Sequence, residues 1–254
     1  MKVSICGLTY NHEEYIFQMM NSLLEQQGVE FEVLIYDDAS TDGTPGILQS
    51  YADKYPGKVI PVLGKTNIFG STGQYPNIAE ILYSQARGEY IALCEGDDYW
   101  NDPLKLHKQT SFMDKSPAYS MCHHDYEILE NGKFRVPPGE PHDYTRAELV
   151  GMQLEGYGIA TCTKLFRNKY QENKNAFEAL YTDYPHTVLM GLYGECKYIK
   201  GVGPSVYRRL HGGSWTGLSQ DDRHQKTQEM YIMIYNYFKA NNNRKQADVR
   251  RKFF

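Results

Sequence analysis

The chain has 254 residues, of which 41% are hydrophobic and 23% are charged, so it is long enough for one large α/β domain with or without an appended lobe. Its net charge of −4 argues against a nucleic-acid-binding protein, which would concentrate Lys and Arg on one face. Five irregularly spaced cysteines and the lack of any apolar run near the ~20 residues of a membrane span predict a cytoplasmic protein without disulfides.

The first half of the chain alternates strand-like and helix-like segments. Apolar, β-prone runs predict four strands, at residues 2–8, 31–36, 58–63 and 90–94. Helices are predicted between them, after a capping box formed by Asn11 and Glu14, from Thr44-Pro45 onward, and over 77–86. This alternation predicts a mostly parallel, Rossmann-like sheet with helices on both faces.

Polar clusters follow three of these strands. They are Thr9-Tyr10-Asn11, Asp37-Asp38 and Glu95-Gly96-Asp97-Asp98. The carboxyl ends of parallel strands share one edge of the sheet, so we expect the clusters to meet in one cleft. Three carboxylates within four residues repel one another unless a cation compensates, which favours a site for Mg²⁺ or Mn²⁺ that also holds phosphate oxygens. The alternative is that the Asp pair caps the helix that Asp102-Pro103 would begin.

The second half of the chain is less regular. Strands are predicted at 118–122, 126–129, 160–166 and 196–202, and helices at 187–193 and from Asp221 onward. Thr145 and Glu148 have capping-box spacing. His123-His124-Asp125 lacks a third ligand at metal-site spacing, so a histidine that faces the cleft is favoured over a zinc site. The last helix has one apolar stripe, formed by Thr227, Met230, Tyr231, Ile234, Tyr235 and Phe238.

The chain resembles the family 2 glycosyltransferases of the GT-A fold in three ordered segments: V-S-I-C-G-L-T-Y-N-H-E-E-Y, L-I-Y-D-D-A-S-T-D-G-T and G-E-Y-I-A-L-C-E-G-D-D-Y-W. The resemblance is close over roughly the first 115 residues. It implies a nucleotide-sugar-binding half at 1–115, an acceptor-binding and catalytic half at 116–220, and a C-terminal helix with a basic tail at 221–254.

The resemblance implies a role for each polar cluster. Asp38 would accept a hydrogen bond from the uracil N–H of a UDP-sugar. Asp98 would be the direct ligand of Mn²⁺ or Mg²⁺, with Asp97 near the sugar and ribose, whereas the role of Glu95 stays open because the family has the shorter Asp there. The remaining nucleotide-binding residues would be Thr9, Tyr10, Asn11 and Glu13.

Two segments of the second half match the family less closely. Thr182-Asp183-Tyr184-Pro185 resembles the segment of the catalytic base, so Asp183 would take the proton of an acceptor hydroxyl, in addition to or instead of capping a helix. Tyr207 to Trp215 resembles a Y-R-x-H-x-G-G-x-W loop with Leu210 at the histidine position. His211, one place later, would then approach the metal or the diphosphate. Alternatively, Arg208 or Arg209 does so, or the loop only closes over the donor.

The sequence therefore predicts a metal-dependent, inverting glycosyltransferase that moves a sugar from a nucleotide-sugar donor to a glycan or lipid-linked glycan acceptor in surface polysaccharide or lipopolysaccharide synthesis. One alternative is a catalytically silent nucleotide- or sugar-binding module, because His211 is displaced. Another is a sugar-nucleotide pyrophosphorylase, whose glycine-rich Arg/Lys loop has no counterpart at Leu8 to Asn11.

Two smaller features have alternatives of their own. Asp38 to Gly43 fits the first half of an EF-hand calcium loop, but Gln49 stands where the closing Glu is required and a strand precedes the loop. The basic tail at 244–254 is either a solvated helix end or a contact with an anionic membrane surface at the inner face of the membrane.

Overall fold

The computed structural model describes residues 1–150, 158–180, 182–210 and 217–241, apart from the side chain of Asp183. In these ranges the strands are β1 (Val3–Thr9), β2 (Phe31–Asp37), β3 (Val59–Leu63), β4 (Tyr90–Leu93), β5 (Tyr99–Trp100), β6 (Tyr119–His123), β7 (Tyr126–Glu130), β8 (Lys133–Arg135), β9 (Leu165–Arg167), β10 (Glu195–Tyr198) and β11 (Ser205–Arg209). The helices are α1 (Ile16–Leu24), α2 (Thr44–Lys54), α3 (Ile68–Thr72), α4 (Lys105–Lys115), α5 (Arg146–Val150), α6 (Lys174–Ala179), α7 (Asp183–Tyr193) and α8 (Gln220–Ala240).

Seven strands form the main sheet, in the order β10-β6-β9-β4-β1-β2-β3. β9 runs antiparallel to its two neighbours, and the other pairs are parallel. β1 lies at the centre of the parallel part, between β4 and β2, because the intervening helices carry the chain back to start each new strand in the same direction. The predicted mostly parallel α/β sheet is confirmed.

Both faces of the main sheet are buried by helices. On one face Ile16, Met19 and Leu23 of α1 pack with residues of α2 and α4 against Val3 and Ile5 of β1. On the other face, Cys6 and Leu34 pack with residues of α5, α6, α7 and α8. Successive residues of a strand point to opposite faces, so a strand buried on both sides is apolar throughout, which explains the continuous apolar runs in the sequence. The five cysteines are free and buried, as the sequence predicted.

A smaller sheet joins distant parts of the chain beside the main sheet. Its order is β5-β11-β7-β8, and β11 pairs antiparallel with β5 and parallel with β7. β5 begins directly after Asp98, so this pairing brings β11 to the acidic cluster. Among the described residues, none of the helices has the length and apolar character that a membrane span requires.

Several local predictions differ from the structure. The capping box at Thr145 is confirmed, since Thr145 N–H donates to Glu148 Oε2 at 2.7 Å and Glu148 N–H to Thr145 Oγ1 at 3.3 Å. The box at Asn11 is wrong: α1 begins only at Ile16, and Asn11 Oδ1 instead accepts a hydrogen bond from Thr41 N–H at 2.8 Å. The helix predicted over 77–86 is a single π-helical turn, and the strand predicted over 160–166 starts with a 3₁₀ turn.

Candidate active site

The three polar clusters meet at one edge of the main sheet. β4, β1 and β2 are parallel neighbours, so their carboxyl ends lie side by side. Asp38 N–H donates to Thr9 O at 3.0 Å, and Gly96 N–H donates to Leu8 O at 2.9 Å. The convergence that the sequence predicted is therefore present, with the end of β1 bonded to both acidic segments.

The acidic cluster has the composition and geometry of a divalent-cation site. Glu95, Asp97 and Asp98 each offer a carboxylate oxygen, and these oxygens lie within 4.8 Å of one another. Asp98 is fully buried; its Oδ1 accepts a hydrogen bond from Arg208 N–H at 2.9 Å, whereas its Oδ2 meets no N–H or O–H donor among the described residues. Burial and the two neighbouring carboxylates raise the pKa of Asp98 well above its ordinary value. Carboxylate oxygens are hard ligands that fit Mg²⁺ or Mn²⁺. Such a cation would offset the repulsion between the carboxylates and would give the buried Asp98 Oδ2 a partner.

Gly96 allows the acidic segment to lie close to the end of β1. A Cβ at this position would lie 2.6 Å from Thr9 Cβ and 2.7 Å from His12 Nδ1, and nearer still to Thr9 Oγ1. Real Cβ atoms essentially never approach other atoms this closely. The glycine in the Glu-Gly-Asp-Asp segment is therefore required by packing.

His12 belongs to the site, although it was absent from the predicted site residues. Its ring lies beside Gly96 and Asp97, and Nδ1 is buried with no hydrogen-bond partner among the described residues. Burial lowers the pKa of His12, and the nearby Asp97, Asp42 and Asp37 oppose that shift only in part. His12 is thus a neutral imidazole beside the acids at pH 7. The available signal was its position directly after the first polar cluster.

Arg208 of β11 supports the acidic cluster from the side. Its guanidinium lies between the rings of Tyr15 and Tyr99, 4.9 and 4.8 Å from their centroids. The guanidinium also donates to Asp97 O and Gln18 Oε1, while the backbone N–H of Arg208 holds Asp98 Oδ1. Arg208 is therefore brought to the predicted site, where its bonds position Asp97 and Asp98 of the acidic cluster.

Asp38 anchors the first turn of α3. Its Oδ1 accepts hydrogen bonds from Ile68 N–H at 2.9 Å and from Tyr36 OH at 3.2 Å, and its Oδ2 accepts one from Phe69 N–H at 3.1 Å. A carboxylate offers about four acceptor positions, so Oδ2 keeps capacity for one more donor such as the N–H of a pyrimidine. The sequence did not predict the attachment of α3.

The other residues predicted to bind nucleotide join the loops after β1 and β2. Asn11 N–H donates to Ser40 Oγ at 2.8 Å, and Glu13 Oε2 accepts from Gly43 N–H at 2.8 Å. Thr9 is buried beside Gly96, and Tyr10 is exposed. Their contact with a nucleotide stays a prediction.

The hydrogen bonds of the loop from Asp38 to Gly43 argue against its interpretation as an EF-hand calcium loop. Asp42 Oδ1 accepts from Thr44 N–H and Oδ2 from Glu13 N–H, each at 3.0 Å. One carboxylate oxygen of Asp42 therefore holds the amide of Thr44 at the start of α2, and the other holds the loop that follows β1.

A cavity of about 800 Å³ opens beside the acidic cluster. Glu95 and Asp97 line it, together with Thr182 and Tyr184, which flank Asp183 in the chain, and with Arg208. The side chain of Asp183 and the whole of His211 lie outside the described residues. This volume falls in the range of small-molecule sites, and the cavity joins the metal candidates to the segment of the candidate base.

Tyr207 also lines the cavity and was missed as a site residue. Burial raises the pKa of its hydroxyl, and the nearby Glu95, Asp98 and Asp97 raise it further. The hydroxyl therefore stays protonated and can donate a hydrogen bond near the acids. The motif that contains Tyr207 was visible in the sequence, but nothing in it showed that this side chain faces the cleft.

The paired histidines belong to the core. His123 and His124 are buried, and His123 Nε2 lies 2.9 Å from His142 O. Burial lowers the pKa of His123 to about 4. Neither histidine is among the described residues that line the cavity, so the expectation that one of them faces the cleft is wrong.

Comparisons with known proteins agree with this geometry. The model of the family "Glycosyl transferase family 2" matches residues 4–173. An uncharacterized protein of Mycobacterium tuberculosis is 36% identical over 223 residues, a match that covers 87% of this chain and 62% of that protein. The chain thus spans less than two thirds of the length of this relative.

Two solved structures share the fold. TarS of Staphylococcus aureus, a poly(ribitol-phosphate) β-N-acetylglucosaminyltransferase by name, is 38% identical over 117 residues, which are 45% of this chain and 19% of TarS. Its residues 1–349 in complex with UDP-GlcNAc superpose with a TM-score of 0.65 at 22% identity, covering 93% of this chain and 67% of that one. A mannosyltransferase of Pyrobaculum calidifontis in complex with GDP-Man and Mn²⁺ superposes with a TM-score of 0.58 at 15% identity, covering 85% and 59%.

Proposed function

The chain belongs to glycosyltransferase family 2, and we propose that it transfers a sugar from a UDP-sugar to a hydroxyl of a cell-surface glycan, with a divalent cation and with inversion at the anomeric carbon. The observation that supports this most directly is the acidic cluster at the same sheet edge as Asp38. Its buried member, Asp98, has an Oδ2 that lacks an N–H or O–H partner among the described residues.

The acidic cluster and Asp38 would bind different parts of the donor. Asp98, with Asp97 and Glu95, would hold Mg²⁺ or Mn²⁺, which supplies charge neutralisation for a departing diphosphate. Arg208 N–H holds the carboxylate of Asp98, and its guanidinium holds the backbone carbonyl of Asp97. Asp38 would accept the N–H of the uracil, and the TarS complex with UDP-GlcNAc supports a UDP-sugar as the donor.

Asp183 would complete the reaction as the general base. It lies in the first turn of α7, between two residues that line the cavity, Thr182 and Tyr184. From that wall a carboxylate would take the proton of the acceptor hydroxyl as the oxygen attacks the anomeric carbon. Attack on the side opposite the diphosphate inverts the configuration. The name of TarS, a poly(ribitol-phosphate) β-N-acetylglucosaminyltransferase, supports a polymer as the acceptor.

The experiment is an assay of UDP release from a panel of UDP-sugars in the presence of Mn²⁺. We expect slow release of UDP without acceptor. Asp98→Asn should reduce this rate at least about 100-fold, because the cation that would neutralise the diphosphate loses its principal protein ligand. The matched control is Asp53→Asn on α2, whose exposed carboxylate accepts a hydrogen bond from Gln49.

Two outcomes would contradict the proposal. If Asp98→Asn releases UDP as fast as the parent protein does, the assignment of the metal ligand is wrong. If the parent binds UDP but shows no turnover with any donor, the chain is a catalytically silent nucleotide-binding module.

A further inference from the structure

One side of helix α8 carries a stripe of buried and half-buried residues. The C-terminal half of this stripe packs in the core, and its N-terminal half lines the cavity. Ile234 and Phe238, in the C-terminal half, are fully buried in the core with residues of α6 and α7. In the N-terminal half the stripe continues through half-buried residues, while Gln228 and Ile232 on the opposite face are exposed. The half-buried residues are Lys226, Thr227, Met230 and Tyr231, and all four line the cavity.

The N-terminal half of α8 is held over the cavity by a defined contact. Lys226 Nζ donates a hydrogen bond to Gly73 O at 2.7 Å and lies 5.4 Å from the centre of the Phe69 ring. Phe69 N–H is in turn bound by Asp38. The N-terminal half of α8, which forms one wall of the cavity, is therefore held against α3, the helix whose first turn Asp38 binds.

The side chains of this wall combine apolar and polar character. Met230 and Tyr231 offer an apolar surface with the hydroxyl of Thr227 beside it, and Glu229, which is exposed, offers a carboxylate at the rim of the cavity. Gln225 Nε2 donates to Glu229 Oε1 at 2.9 Å and so holds that carboxylate in place. A sugar ring has one face of C–H groups and a rim of hydroxyls, so it matches such a wall better than a purely apolar chain would.

We propose that the N-terminal half of α8 is the acceptor subsite, where Tyr231 and Met230 contact the face of an acceptor sugar ring and Glu229 accepts hydrogen bonds from its hydroxyls. This assignment rests on the proposed function. The donor has its own ligands at the strand ends, whereas α8 shares the cavity with Thr182 and Tyr184, on either side of the candidate base. The acceptor hydroxyl must approach from the side of that base.

The test uses a panel of methyl glycosides of common hexoses and N-acetylhexosamines as probes, with UDP and Mn²⁺ present. Binding is measured by ligand-observed NMR titration, and UDP affinity is measured separately by calorimetry. We expect at least one glycoside to bind the parent protein, and Tyr231→Ala to weaken it about tenfold, the size of one ring contact. UDP affinity should change less than about twofold.

Three further variants make the test specific. Tyr231→Phe keeps the ring and should retain glycoside binding. Ile232→Ala, one residue along on the exposed face of α8, is the matched control and should bind as the parent does. Glu229→Gln lies on the surface, so it folds even if Tyr231→Ala does not, and it should weaken the glycoside several-fold because the acceptor oxygen loses its charge.

The assignment is overturned if no glycoside binds the parent, if Tyr231→Ala and Glu229→Gln bind glycosides as well as the parent, or if Ile232→Ala weakens them equally. It is also overturned if UDP affinity falls in step with glycoside affinity, since α8 would then belong to the donor site. Failure of the proposed function has a different signature, because the parent would then release UDP from no UDP-sugar in the presence of Mn²⁺, whatever its affinity for glycosides.

Discussion

The substitution Gly96→Ala tests whether the acidic segment must lie against the end of β1. The added methyl group would lie 2.6 Å from Thr9 Cβ and 2.7 Å from His12 Nδ1. Thr9 is buried and pairs with Asp37 of β2, so it cannot move aside without disturbing the end of that parallel pair. We therefore expect the Glu95 to Asp98 segment to shift outward.

Two opposing effects set the change in the free energy of unfolding of Gly96→Ala. Overpacking of a filled interior costs about 1–3 kcal/mol. Replacing glycine by alanine also restricts the unfolded chain, which returns about 0.4–1 kcal/mol. With mid-range values for both effects, the expected net loss is about 1.3 kcal/mol in the free energy of unfolding, and for a chain of this size that lowers the melting temperature by roughly 3–5 °C.

Gly46→Ala is the matched control. Gly46 lies in the first turn of α2, and a Cβ there would meet no atom of the described residues within 4 Å. Alanine is favoured over glycine in a helix by up to about 1 kcal/mol, so this variant should be more stable than the parent.

Urea unfolding measures the stability of both glycine variants, and UDP release in the presence of Mn²⁺ measures the site. Gly96→Ala should lose stability and most of its activity, whereas Gly46→Ala should keep its activity. A Gly96→Ala protein that unfolds at the same urea concentration as the parent and releases UDP at the same rate would refute the packing argument.

Two further predictions concern other buried charges. Burial lowers the pKa of Lys105 from 10.5 to about 8, so between these values the unfolded chain binds the proton more tightly and stability rises with pH. The parent should therefore gain stability relative to Lys105→Met from pH 8 to 10, and a pH-independent difference in urea unfolding would contradict this. Asp38→Asn would place an NH₂ group or a weaker acceptor against the N–H groups of Ile68 and Phe69. It should weaken UDP binding at least about tenfold in calorimetry, and unchanged affinity would show that Asp38 does not contact the base.

Local patterns predicted much of the fold. The β-prone apolar runs identified β1, β2, β3 and β4, and the polar clusters behind three of them identified the edge where the acids meet. Such runs are informative because a parallel strand buried on both faces needs apolar residues throughout, and because parallel strands end at the same edge. The Thr145 capping box is also a short-range signal, since its two hydrogen bonds span three residues.

The same local rules failed where a distant segment competes for the same groups. Asn11 has capping-box spacing with Glu14, but Ser40 and Thr41, about thirty residues later, take its backbone N–H and its side chain. Asp38 looked like a free ligand, yet it also binds the start of α3. The sequence contains no local trace of such long-range hydrogen bonds.

The amino-acid sequence by itself determined that the sheet is mostly parallel, the order of strands and helices along the first half of the chain, and the acidic residues at the strand ends. These features depend on residue type and short spacing. Only the tertiary structure decided that Arg208 and His12 lie at the acids, that Gly96 is needed for close packing, and that one half of the α8 stripe faces a cavity. An apolar stripe in the sequence shows which side of a helix packs against the rest of the protein. What covers it depends on elements that are distant in the chain.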